Sequence, residues 1–165
     1  MTAPILVFGY GNPSRGDDAL GPEFVRRLEA CCADAIACGA LEVLTDFQLQ
    51  VEHALDLQER AVVYFVDATA APNAPPFEVR PVVPASGVAF TTHAQSPAAL
   101  LQTFGSVMRA PTPATFVVAI RGERFELGEP MSEAAERNLE GALDDFVRLL
   151  AARLPAVGGA ASRAP

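Results

Sequence analysis

Four polar residues stand where an α/β chain places its chemistry: Asp17, Asp18, Asp67 and His93. Asp17 and Asp18 fall in the glycine-rich stretch FGYGNPSRGDDALGPEF, Phe8 to Phe24. Asp67 follows the apolar run AVVYFV, and His93 lies in the polar loop TTHAQSP ahead of a helix. Ligands of a parallel α/β sheet gather beyond the carboxyl ends of its strands, so residues just after strands are the informative ones. Asp18, Asp67 and His93 lie too far apart to form a local motif and can meet only through the fold. Two carboxylates and an imidazole suit a borderline divalent ion such as Ni²⁺, Zn²⁺ or Mn²⁺ and are unsuited to Cu(I). Three protein ligands leave coordination positions open for a substrate.

Each of these residues also has a plain structural reading. Asp17 or Asp18 could N-cap the first helix, and Asp67 could bond loop amides at a strand end. A loop histidine such as His93 is usually a surface group. His53, in VEHAL, is expected to be a solvated helix residue.

The glycine-rich stretch departs from both familiar phosphate loops. After Gly9 and Gly11 the third position of a G-x-G-x-x-G fingerprint is Ser14, and the Lys and hydroxyl positions of a P-loop hold Asp17 and Asp18. Two carboxylates repel a polyphosphate unless a metal intervenes. A phosphate or nucleotide binder built on Gly9, Gly11 and Gly16 therefore stands only as an alternative. Neither a G-x-S-x-G elbow nor an H-E-x-x-H helix occurs.

The elements that must position these residues follow from apolar patterning. Short apolar runs alternate with amphipathic stretches, which predicts α/β layering. Strands are expected at Ile5 to Tyr10, Leu41 to Leu44, Ala61 to Val66, Phe77 to Val83 and Thr115 to Ile120. Leu20, Phe24, Leu28 and Cys32 form one face of a first helix, and a further helix covers Gln50 to Leu57. Ser96 and Pro97 supply an N-cap and a first-turn proline for a helix reaching Met108. Ser132 caps a last helix whose buried stripe is Ala135, Leu139, Leu143, Phe146, Val147 and Leu150, and Pro155 is expected to end it. The expected architecture is a single three-layer α/β/α domain, residues 1–154, around a twisted, mostly parallel five-stranded sheet, followed by a mobile tail over residues 155–165.

Composition narrows the partners. With 165 residues, a net charge of −8 and no lysine, the chain lacks the cationic surface that nucleic acid or an anionic membrane requires. Its apolar runs fall far short of the roughly 20 residues that span a bilayer. The start, MTAPILVFGYG, has no basic n-region, which points to a cytoplasmic protein. Cys31, Cys32 and Cys38 fit neither a disulfide framework nor a CxxC site and are expected to be reduced structural thiols.

The stretch ILVFGYGNPSRGDDALGPEFV, the VDA of Val66 to Ala68, and His93 ahead of a leucine-containing helix resemble the nickel-iron hydrogenase maturation endopeptidases over about Ile5 to Leu154. The resemblance implies an α/β fold and an endopeptidase that clips the C-terminal extension from the hydrogenase large-subunit precursor after nickel insertion. It implies metal contacts at Asp18, Asp67 and His93, which would also be the catalytic set, with Asp17 as an additional base or a cap. The nickel would come from the precursor itself, although other divalent ions would fit, and the enzyme would be a monomer. A non-proteolytic nickel sensor or carrier using the same ligands is the alternative. Two departures are plain: the family's first-loop ligand is typically Glu where this chain has Asp18, and TDFQLQ, Thr45 to Gln50, replaces a glycine-rich turn. The latter resembles members serving soluble NAD-reducing hydrogenases, and makes Gln48 and Gln50 candidates for choosing the precursor.

Overall fold

The computed structural model describes residues 1–86 and 95–158. Five strands, β1 (Ile5–Tyr10), β2 (Leu41–Asp46), β3 (Val62–Thr69), β4 (Phe77–Pro81) and β5 (Ala114–Arg121), form one sheet in the order β2-β1-β3-β5-β4. All neighbours are parallel except β4, which pairs antiparallel with β5 at the edge. Strands buried on both faces must be apolar at successive positions, and β1 and β3 meet that demand. Ile5, Val7, Val62, Tyr64 and Val66 pack on one face, and Leu6, Phe8, Val63 and Phe65 on the other.

Helices α1 (Leu20–Cys31) and α4 (Glu133–Gly158) cover the first face, α2 (Ala33–Ala37) extends α1, and α3 (Pro97–Met108) with a 3-10 turn over Val51–Leu57 covers the second. The expected stripes are the ones buried: Leu20, Phe24 and Leu28 on α1, and Ala135, Leu139, Phe146 and Leu150 on α4. Leu143 and Val147 flank the α4 stripe at its margin. The Ser96 hydroxyl accepts the Ala99 N–H at 3.1 Å with Pro97 in the first turn, and the Ser132 hydroxyl accepts the Ala135 N–H at 3.1 Å.

Three expectations need correction. α4 does not stop at Pro155 but runs on to Gly158. Proline removes one i→i−4 bond, and this close to a terminus the carbonyls are already losing partners, so the loss does not break the helix. The remainder of the expected tail, residues 159–165, lies outside the described residues. β3 continues past Val66 to Thr69 because β5 supplies partners as far as Arg121, so Asp67 belongs to the strand. The cysteines are free, but Cys31 and Cys38 are exposed and only Cys32 is half-buried, so they contribute little to packing. Burial and the neighbouring Cys31 push the Cys32 thiol up.

The topology places a crevice. From β1 the chain leaves through α1 towards β2, on one face; from β3 it leaves towards β5 and β4, with α3 on the other face. The carboxyl ends of β1 and β3 therefore flank the point where the winding reverses, which is where open α/β sheets bind ligands. No helix among the described residues is long and apolar enough to cross a membrane.

Candidate functional site

Asp67 and Tyr10 define the floor of that crevice. Gly9 of β1 pairs with Val66 of β3, so the next residues of each strand are neighbours, and the Tyr10 hydroxyl hydrogen-bonds the Asp67 carboxylate. Burial pushes the Asp67 carboxyl up, the Tyr10 hydroxyl and the Ala68 N–H pull it down, and the charge of Asp18 raises it again, leaving it at about 6. Tyr10 is raised beyond its usual range by burial and by the same Asp67 carboxylate. Its part was not evident in the sequence, where Tyr10 reads only as the last residue of a strand.

Asp18 reaches the crevice from the loop after β1. The Asn12 N–H donates to its Oδ2 at 2.7 Å, and Oδ1 lies 3.4 Å from where a side chain on Gly11 would begin. Oδ1 carries no hydrogen bond among the described residues. The shorter side chain, relative to a glutamate, is thus drawn partly back onto its own loop, with one oxygen held by the Asn12 N–H. His93, the third expected ligand, lies outside the described residues. Close to it in sequence, Gln95 is anchored by its N–H to the Leu49 carbonyl at 2.9 Å. Among the described residues no cluster of three or more His, Cys, Asp or Glu side chains is arranged to hold a metal; Asp18 and Asp67 are brought together as a pair.

Asp17 has a different role from either expected one. It is fully buried, and it does not cap α1, whose N-cap is Ala19 without a side-chain bond. Its Oδ2 accepts the N–H groups of Glu123 and Arg124 at 2.6 and 2.9 Å and the Ser132 hydroxyl at 2.8 Å, and Oδ1 accepts the Ser132 N–H at 2.6 Å. Burial alone would raise its pKa, but these four donors together lower it below the usual carboxylate value. A carboxylate saturated in this way is no general base.

The glycines serve internal packing. A Cβ on Gly9 would run into the Gly21 carbonyl of α1, and one on Gly11, which has φ of +146°, into the Asp18 carbonyl. The N–H groups that a phosphate cradle would need are committed: Gly11 to the Asp46 carbonyl, Gly16 to Glu129, Asp17 to Arg124 and Asp18 to Arg15. The phosphate alternative thus lacks its donors.

His53 is not the solvated residue that its sequence context predicts. Its ring stands edge-on to Phe8 at 4.8 Å, Nδ1 accepts the Gln50 N–H at 2.9 Å and Nε2 lies 3.2 Å from Asp46 Oδ2. The Gln50 side chain in turn accepts the His53 N–H, completing a capping box. Gln48 and Gln50 are both exposed, and Gln50 also takes part in the capping box of its own turn. His53→Ala should cost about 1–2 kcal/mol by stripping these bonds and the ring contact, lowering the melting temperature by about 3–6 °C. Thermal unfolding checks this; an unchanged midpoint would contradict the contacts described. Beside this segment, Gly11, Pro13, Pro22, Thr45, Asp46 and Phe47 line a cavity of about 350 Å³.

Comparison with solved structures shows the same architecture elsewhere. The NiFe hydrogenase maturation protease HycI from Thermococcus kodakarensis superposes with a TM-score of 0.67 at 20% identity, covering 90% of this chain and 92% of that one. The hydrogenase maturating endopeptidase HybD from E. coli gives 0.66 at 22% identity, covering 94% of each. A hydrogenase 2 maturation peptidase from a Thaumarchaeota archaeon gives 0.59 at 20% identity, covering 88% of this chain and 97% of that one. No family model and no curated protein matches the sequence. At these identities the likeness establishes the fold, an α/β sheet sandwiched by helices as expected.

Proposed function

We propose that this chain, which has the fold of the hydrogenase maturation proteases, is an endopeptidase that removes the C-terminal extension of a nickel-iron hydrogenase large-subunit precursor once nickel has been inserted. The observation that carries the reading is the convergence of Asp18 and Asp67 at the β1/β3 crevice. Burial and the Asp18 charge raise the Asp67 carboxyl to about 6. Bringing a divalent cation there would relieve both the like-charge repulsion and the desolvation, which is what a pair of carboxylates awaiting a metal requires. The resemblance adds His93, giving the oxygen-rich set with one nitrogen that suits nickel.

In this reading the nickel arrives with the precursor, so the cut waits for loading, and no serine or cysteine nucleophile is needed. The protein works in the cytoplasm, as a monomer. The exposed Phe47 lines the cavity beside the first loop, and in this reading it and the nearby exposed Gln48 contact the precursor.

The test mixes the purified chain with nickel-loaded and nickel-free precursor and follows both by mass spectrometry. Loss of a short C-terminal peptide from the loaded form alone is expected. Nickel binding with unchanged mass in both would instead assign a sensor or carrier using the same ligands, and cleavage of both forms would remove nickel from the recognition step.

A further inference from the structure

Nothing in the proposed reaction needs a buried carboxylate away from the crevice, yet Asp17 is fully buried with four donors on it. Burying a charge is costly unless its oxygens are fully paired, so packing alone does not explain an aspartate there. What the four bonds achieve is a clamp. Their donors come from the loop between β5 and α4, over a hundred residues further along the chain. The same two loops are joined by Asp17 N–H to the Arg124 carbonyl at 2.7 Å, Gly128 N–H to Ser14 at 2.7 Å, Gly16 N–H to Glu129 at 3.1 Å and Arg15 Nε to Phe125 at 3.3 Å. Among the described residues of these two loops, only the Asp17 side chain engages the start of α4 as well, through Ser132.

Asp18 is the next residue, and little else holds it: its N–H to the Arg15 carbonyl at 3.0 Å and its Oδ2 to the Asn12 N–H. We propose that Asp17 is a positioning residue, whose carboxylate locks the first loop onto the β5–α4 loop and so fixes the direction in which Asp18 presents Oδ1 to the substrate's metal. The proposal rests on the reading of Asp18 given above. It also accounts for Gly122, since a Cβ there would lie 2.6 Å from the Asp17 Cβ and 3.3 Å from its Oδ2; the neighbouring loop keeps that space free for the clamp.

The experiment is a double-mutant cycle on the full chain. Asp17→Asn turns an amide N–H₂ towards backbone donors and should slow cleavage of nickel-loaded precursor about 100-fold, as small misplacements of reacting groups do. In an Asp18→Ala background the same substitution should change the residual rate by less than about twofold, because a residue that acts through Asp18 has nothing left to act on. A second readout needs no activity: amide hydrogen exchange at Asn12 should quicken about tenfold or more in Asp17→Asn while Val7 and Phe8 keep their protection. Ser132→Ala, which removes one of the four donors, should give smaller changes of the same kind and serves if Asp17→Asn does not fold. Equal losses in both backgrounds, or unchanged exchange at Asn12, would overturn the positioning role and leave Asp17 a structural clamp only. If the wild-type chain cleaves neither precursor, the functional reading fails, and the Asn12 exchange decides the positioning role by itself.

Discussion

Asp67→Asn is expected to abolish processing of nickel-loaded precursor and, at neutral pH, to make the folded chain more stable. The two effects share one cause. In the folded state burial, aided by the Asp18 charge, holds the Asp67 carboxyl at about 6 against a reference of 3.8. Between those values the folded chain binds more protons than the unfolded one. Stability therefore falls as pH rises from about 4 to about 6 and stays at the lower level above that range. A difference of this size corresponds to at most about 3 kcal/mol, and screening at a partly exposed strand end reduces it to about 1 kcal/mol. Asparagine keeps the shape and can accept from Tyr10 and Ala68 but carries no charge. Its melting temperature at pH 7.5 should exceed that of the wild type by about 2–4 °C, and the two should coincide near pH 4. His93→Ala provides the contrast: it should abolish processing equally, without this pH-dependent gain. An Asp67→Asn protein less stable than wild type at pH 7.5, or one that still cleaves at the wild-type rate, would show that Asp67 is an ordinary strand-end residue. Stability given up at a functional carboxylate is a common trade.

Most of the scaffold was legible because it is written in local patterns. The apolar run of β1 and the Ser96–Pro97 start of α3 need only neighbouring residues to be recognised, and both fall where expected. The α4 stripe is a 3.6-residue period, and its core positions are buried. What escaped is long-range. Asp17 looks like a cap because capping is the local use of an aspartate before a helix; its real partners lie beyond β5 and leave no periodic trace. Tyr10 meets Asp67 only because β1 and β3 are adjacent, an order that no stretch of sequence announces. His53 reads as solvated in VEHAL, but β1 brings Phe8 beneath its ring. The candidate metal residues were found at all because α/β topology gathers strand ends, so position after a strand is itself a signal.

Gly21→Ala should be among the most destabilising single changes in the chain, and the reason bears on the site as much as on the fold. The first turn of α1 lies directly on the carboxyl ends of β1 and β3. A Cβ on Gly21 would meet the Tyr10 carbonyl, the Val66 carbonyl at 2.7 Å and the Tyr10 nitrogen at 2.8 Å. All three are backbone atoms of paired strands, so none can rotate away as a side-chain tip would, and relief requires α1 to move off the sheet. Overpacking against backbone should cost about 3 kcal/mol or more, a fall of about 10 °C in melting temperature. Because the loop bearing Asp17 and Asp18 runs straight into α1, any surviving folded protein should also lose processing out of proportion to its folded fraction. Gly105→Ala on α3 is the matched control. Among the described residues its added carbon would find only Thr112 Cγ2, at 3.9 Å, and replacing a mid-helix glycine should stabilise by about 0.5–1 kcal/mol. Thermal unfolding of the two variants side by side checks the argument. Equal midpoints would mean that α1 yields freely at its first turn, and that close contact between helix and strand ends does not hold the crevice in shape.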